Sequence, residues 1–172
     1  MKRFLPLLLL FPIGLLMPSC SSQVKAKQPV SYHFQSGKTA LLQDGKAYAP
    51  RNAPEAVIRA VAAGNRLQNK PYKWGGGHAC CDDWGYDCSG TVSYVLRSAG
   101  LMNGVNTSHD YFNYGEKGEG KWITIYTRNG HVFMTIAGLR LDTGGAGRGE
   151  GPRWRPQTRS AGGTVMRHPE GL

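Results

Sequence analysis

Apolar and polar positions divide this chain into a helical half followed by a stranded half. Val57, Ile58, Val61 and Ala62 fall on one stripe at helical spacing. Asn52 is placed to cap that helix, with Glu55 three residues on as its capping-box partner, and Pro71 marks its end, so a helix is expected from Asn52 to about Gln68. A second helix is expected to begin near Cys88. Val92, Val95, Leu96 and Ala99 form its apolar face, and Gly100 stands where a helix stop belongs. Residues 101–120 are rich in Asn and Gly and read as a long loop. From Trp122 the period changes. Residues 122–126 read as a strand, Arg128-Asn129-Gly130 as a turn, residues 132–137 as a second strand, and residues 139–142 as a third after a tight connection at Gly138. Residues 144–163 are rich in Gly, Arg and Pro and read as irregular, and residues 164–167 are placed to close the sheet. Helices first and strands after predict an α+β domain, with helices packed on a small antiparallel sheet.

The first twenty residues follow another pattern. Lys2 and Arg3 make a basic start, and residues 4–17 are almost unbroken apolar, interrupted only by Pro6, Pro12 and Gly14. As a helix that run would span about 21 Å, short of a bilayer core of about 30 Å. It has the length of a signal peptide rather than of a membrane span. Ser19 then precedes Cys20, an arrangement that resembles a bacterial lipoprotein signal, with Met17 and Pro18 where Leu and a small residue are usual. The resemblance implies lipidation of Cys20, a membrane attachment through that lipid, and a location in the cell envelope. An ordinary secretory signal with a nearby Cys is the plainer alternative. The expected organisation is a signal peptide over 1–19, a lipidated N-terminus and flexible tether over 20–50 with a short extended piece around Thr39 to Leu42, and one domain over 51–172.

The formal charge is +10 at pH 7. Loss of Lys2 and Arg3 with the signal leaves the mature chain at about +8, which suits an acidic envelope. No helix-turn-helix pattern, zinc-finger spacing or aromatic stacking motif points to nucleic acid. Four Cys are present: Cys20, the neighbours Cys80 and Cys81, and Cys88. They form neither a disulfide framework nor paired Cys-x-x-Cys zinc ligands, and no metal or cofactor is expected. With Cys20 lipidated, three thiols remain, and a reactive role for Cys88 would account for the odd one. Cys80 and Cys81 are expected to be dispensable for chemistry.

Three residues carry candidate chemistry. Cys88 lies in Tyr86-Asp87-Cys88-Ser89-Gly90 where the second helix begins. A thiol there meets the positive end of the helix dipole, which favours the nucleophilic thiolate. The plain alternative is a buried Cys acting as a small apolar residue. His131 opens a strand and can serve as general base, or it is a surface turn histidine. Asp142, eleven positions on, can reach the imidazole across a hairpin and fix its tautomer, or it caps the glycine turn that follows. Gly75-Gly76-Gly77 lacks the Lys-Ser or Lys-Thr of a P-loop and reads as a tight turn beside a site.

Tyr72-Lys73-Trp74-Gly75-Gly76, Asp87-Cys88-Ser89-Gly90 and Gly130-His131-Val132, in that order, resemble the NlpC-type cysteine peptidases of bacterial cell walls. The resemblance covers about residues 53–143. It implies a papain-like site that cuts peptidoglycan stem peptides between D-glutamate and a diamino acid, acting as a monomer. It further implies Cys88 as nucleophile, His131 as base, Tyr72 near the oxyanion, and Asp87 and Ser89 at the free amine end of the substrate. The family's third residue is usually a His. Here Asp142 is the nearest match and Thr143 the alternative. Arg148, Arg153 and Arg155 are candidates to meet a carboxylate-rich substrate. An amidase or acyltransferase using the same Cys and His, and a non-catalytic wall-binding lipoprotein, are the competing classes.

Overall fold

Pro54 decides where the first helix begins. The residue before a proline is pushed out of the helical region, so Ala53 cannot be helical and Asn52 cannot cap. In the computed structural model, which describes residues 22–79, 82–145 and 149–172, helix α1 is Glu55–Arg66 with Pro54 as an extended N-cap (φ −55°, ψ 151°) and no side-chain cap. The expected capping box of Asn52 and Glu55 is therefore absent. The buried face is also rotated from the expected one: Val57, Ala60, Val61 and Gly64 face inward, while Ile58 and Ala62 are exposed. Small residues on that face let the helix approach closely. A Cβ on Gly64 would lie 2.4 Å from the Trp154 ring, whose Nε1–H donates to Asn65 Oδ1 at 2.9 Å.

Helix α2 is Cys88–Ala99. Val92, Val95, Leu96 and Ala99 are fully buried, as their spacing predicts, and Gly100 ends the helix in the left-handed conformation (φ 75°). Asp87 caps its start, its carboxylate accepting the Gly90 N–H. The two helices pack on each other, and α2 packs on the sheet.

Among the described residues the main sheet has six strands, all antiparallel: β3 (Glu116–Lys117), β4 (Ile123–Arg128), β5 (His131–Ile136), β6 (Leu139–Asp142), β7 (Arg153–Arg155) and β8 (Val165–His168), in the order β3-β8-β4-β5-β6-β7. Asn129-Gly130 makes a two-residue turn that pairs Arg128 with His131, and Ala137-Gly138 makes another that pairs Ile136 with Leu139. Both Ala137 (φ 45°) and Gly138 (φ 73°) are left-handed, as the tight hairpin twist requires. Residues then alternate between faces. Ile123, Ile125, Val132, Met134, Ile136, Leu139 and Leu141 join the core under the helices. Tyr126 and Phe133 stack at 4.8 Å on the other side with Val30 and Ala161.

Two segments are more ordered than their composition suggests. Leu41–Gln43 (β1) and Lys46–Tyr48 (β2) form a hairpin around Asp44-Gly45, and Ala40 and Ala47 are buried in the main core. Further back, Lys25 bridges Val165 and Val30 bridges Arg159, so residues expected as a tether run along the domain. Within the stretch expected to be irregular, β7 pairs Trp154 with Leu141 at the sheet edge. The signal peptide, Cys20, Cys80, Cys81 and Arg148 lie outside the described residues. No helix of the described residues is long and apolar enough to cross a membrane.

Candidate active site

The loop before α2 sets the position of Cys88. Tyr72 and Tyr86 form a parallel bridge, the Tyr86 N–H donates to Pro71 O at 3.1 Å, and the Asp87 N–H donates to Gly76 O at 3.3 Å. Backbone meets backbone here with no room for side chains. A Cβ on Gly76 would lie 2.3 Å from Gly85 O, and one on Gly90 would lie 1.9 Å from Gly76 O. Within the glycine run, Gly76 packs against the backbone, while Gly75 (φ 70°) and Gly77 (φ 81°) take the left-handed conformation of the tight turn. Asp87 fastens the two together: Oδ1 accepts the Gly90 N–H at 2.7 Å and Oδ2 accepts the Gly75 N–H at 3.0 Å. Cys88, the first residue of the helix, is a half-buried free thiol. The first N–H groups of α2 lack intrahelical acceptors, so charge developing beside Cys88 meets the positive end of the helix.

His131 and Asp142 come from facing strands. His131 Nε2 lies 3.1 Å from Asp142 Oδ1, which leaves Nδ1 as the second ring nitrogen. The ring is mostly buried, which works against its charged form. Its hydrogen bonds to Asp142 and Cys88, and the charges of both, outweigh that burial and lift His131 to about 9. The three residues expected to act together are therefore neighbours.

Asp142 is held from every side. Its side chain is wholly buried, Oδ1 also accepts the Gly144 N–H at 2.7 Å, and Oδ2 accepts Arg140 Nη1 at 2.6 Å with Arg159 Nε at 3.3 Å. Burial disfavours the carboxylate, but the His131 and Gly144 hydrogen bonds and the neighbouring positive charges win, and its pKa is lowered. Arg159 lies over the Phe133 ring at 5.1 Å, and Arg140 also donates to Gln157 O at 3.2 Å. Asp142, not its half-buried neighbour Thr143, thus supplies the carboxylate at the ring.

Tyr72 stands by the same group. Burial raises its phenol pKa, and the charges of Cys88 and Asp87 raise it further. Ser89 is buried and donates to Asp87 Oδ1 at 3.1 Å. Arg153 and Arg155 are occupied elsewhere. Both pair with Glu150, and Arg153 donates to Lys70 O and Pro152 O.

Three further side chains stand around these residues with little or no mark in the sequence. Arg140 lies two positions before Asp142 on the same strand and so on the same face, a signal that was available. Arg159 arrives from the Gly- and Arg-rich stretch, where no periodicity marks it. His78 contacts both Asp87 and Ser89, and nothing in its neighbours announces that. Compared with known proteins, the chain matches no protein-family model and no curated protein.

Proposed function

We propose that this chain is a cysteine peptidase of papain-like, NlpC type that hydrolyses stem-peptide bonds of peptidoglycan. The observation that carries the reading is a thiol at a helix N-terminus acting on the same imidazole that hydrogen-bonds a buried carboxylate at 3.1 Å. In this mechanism the Cys88 sulfur attacks the peptide carbonyl carbon, and the carbonyl oxygen takes the negative charge. In this reading the Cys88 backbone N–H, at the helix start, donates to that oxyanion, with Tyr72 alongside. His131, holding the proton taken from the thiol, gives it to the leaving nitrogen as the C–N bond breaks. Water then attacks the thioester. His131 accepts its proton, the S–C bond breaks, and the proton returns to sulfur. Asp142 orients the ring and stabilises the imidazolium without exchanging its own proton.

The proposed substrate is the D-glutamyl-diamino acid bond, in keeping with the family resemblance of residues 53–143. Mass spectrometry of stem peptides after incubation with the purified chain tests this. Fragments split between those two residues are the expected result. A cut at the sugar-peptide amide would make the chain an amidase, and a transferred acyl group would make it an acyltransferase. The proposed setting is the cell envelope, reached through the signal over 1–19 with a lipid on Cys20. Intact mass of the mature chain is expected to start at Cys20 and to carry acyl chains. A mature N-terminus elsewhere with no lipid contradicts it.

A further inference from the structure

Part of the charge that steadies Asp142 comes from outside the sheet. Arg159 stands in no named strand or helix, yet its Nε lies 3.3 Å from Asp142 Oδ2 and its guanidinium lies over the Phe133 ring at 5.1 Å. Gly144 leaves room for it: a Cβ there would lie 3.1 Å from Arg159 Nη1 and 3.3 Å from Asp142 Oδ1. The backbone of Arg159 is fixed by the N-terminal stretch. The Val30 N–H donates to Arg159 O at 2.8 Å, and the Arg159 N–H donates to Val30 O at 2.9 Å. Ser31 Oγ and Thr158 Oγ1 lie 3.2 Å apart beside them, and Val30 packs with Phe133, Tyr126 and Ala161. Arg140 leans on the same stretch, its Nη2 donating to Gln157 O at 3.2 Å. Residues 157–159 thus touch both cations on Asp142, and residues 30–31 hold that stretch in place.

The two cations do different work. Among the described residues, the charged groups on this carboxylate are His131 from β5, Arg140 from β6 and Arg159. Arg153 and Arg155 lie opposite Asp142 and Arg140 on β7, but Glu150 pairs with both. His131 in turn faces Asp142 and Cys88. Arg140 is buried and makes the directed hydrogen bond to Oδ2 at 2.6 Å. Arg159 is partly exposed and adds an ion pair to the same oxygen. Without it Oδ2 keeps Arg140 alone, and the carboxylate can swing about that one bond and carry Oδ1 off the ring.

We propose that Arg159 is a positioning residue that holds Asp142 on His131, and that residues 30–31 brace it, which makes the N-terminal stretch a working part of the site rather than a tether. This rests on the peptidase reading above.

The test joins stem-peptide kinetics to an NMR titration of His131 in the resting mature chain. Arg159→Ala is expected to lower kcat by about tenfold with KM within about twofold of the parent. Arg159→Lys, which keeps the charge, is expected to recover most of that loss. Arg159→Gln keeps the length and removes the charge. The field of Asp142 on His131 is then less opposed, so the His131 titration is expected to move up by about half a pH unit. A merely structural role would lower the melting temperature and leave kcat and the titration alone. Val30→Pro deletes the N–H that Arg159 O accepts. It is expected to lower kcat in the parent and to add nothing in Arg159→Ala. Should Val30→Pro not fold, hydrogen exchange on the parent decides: the Arg159 amide is expected to be protected at least about 100-fold. A folded Arg159→Ala with the parent's kcat, or a His131 titration unmoved in Arg159→Gln, overturns the role of Arg159. Equal effects of Val30→Pro in both backgrounds, zero included, or an unprotected Arg159 amide, overturn the brace. A parent that cleaves no stem peptide overturns the peptidase reading instead, and the titration still decides whether Arg159 acts on His131.

Discussion

Cys88→Ala is expected to lower stem-peptide cleavage by at least about 10⁴-fold while leaving thermal unfolding nearly unchanged. The thiol is half-buried at the first position of α2, where a small side chain suffices, and Asp87 rather than Cys88 supplies the cap. His131→Ala is expected to lose nearly as much. Thiol and imidazole act as one unit, so the double variant should be little worse than either single one. Initial rates on purified wall peptides, set beside the melting curve of each variant, separate lost chemistry from lost fold. Equal rates for Cys88→Ala and the parent contradict the assignment of the nucleophile.

Asp142→Ala is expected to act first on stability. Arg140 is 3% exposed and would be left with a buried charge and no carboxylate opposite it. Breaking a buried pair from one side costs about 3–5 kcal/mol, which for a domain of this size lowers the melting temperature by roughly 10 °C. Asp142→Asn keeps the volume and an acceptor for His131 but removes the charge, so its effect on activity is expected to be milder and to depend on pH. His131 stands at about 9 with Asp142 and Cys88 beside it. It holds the proton for the leaving amine below that value and loses it above, so the parent's kcat/KM should fall as pH rises through about 9. Removing a negative charge makes the imidazolium easier to deprotonate, and the alkaline limb of Asp142→Asn should move to lower pH. The stability that the raised His131 contributes follows the same sign: it is present in full below about 6.5, the unfolded value, and is lost as pH rises through about 9. A limb that stays put in Asp142→Asn would mean that the carboxylate does not act on His131.

The parts of this fold that were legible in sequence carry their own local punctuation. Gly100 fixes the end of α2, and Asn129-Gly130 fixes the hairpin that presents His131. Pairing Asp142 with His131 needed only the strand period and the turn at Gly138. Other parts depend on partners far along the chain. β7 is a single tryptophan between two arginines, and it becomes a strand because Trp154 finds Leu141 on one side and the bare backbone of Gly64 on another. The β1–β2 hairpin had its signal in Asp44-Gly45, but strands of three residues are too short to show an apolar alternation. Asn52 has the chemistry of a cap, and Pro54 overrides it through a steric effect on Ala53. His78 and Arg159 reach the site by routes that loop backbone decides, and no periodicity links either one to its partner.

Rapid acid quenching of the parent with a stem peptide, followed by intact-protein mass spectrometry and peptide mapping, tests the central claim most directly. The account predicts a mass increase equal to the amino-terminal fragment of the peptide, mapped to Cys88 as a thioester and absent from Cys88→Ala. Turnover of the peptide with no adduct in Cys88, and with the same product released by Cys88→Ala, would contradict it.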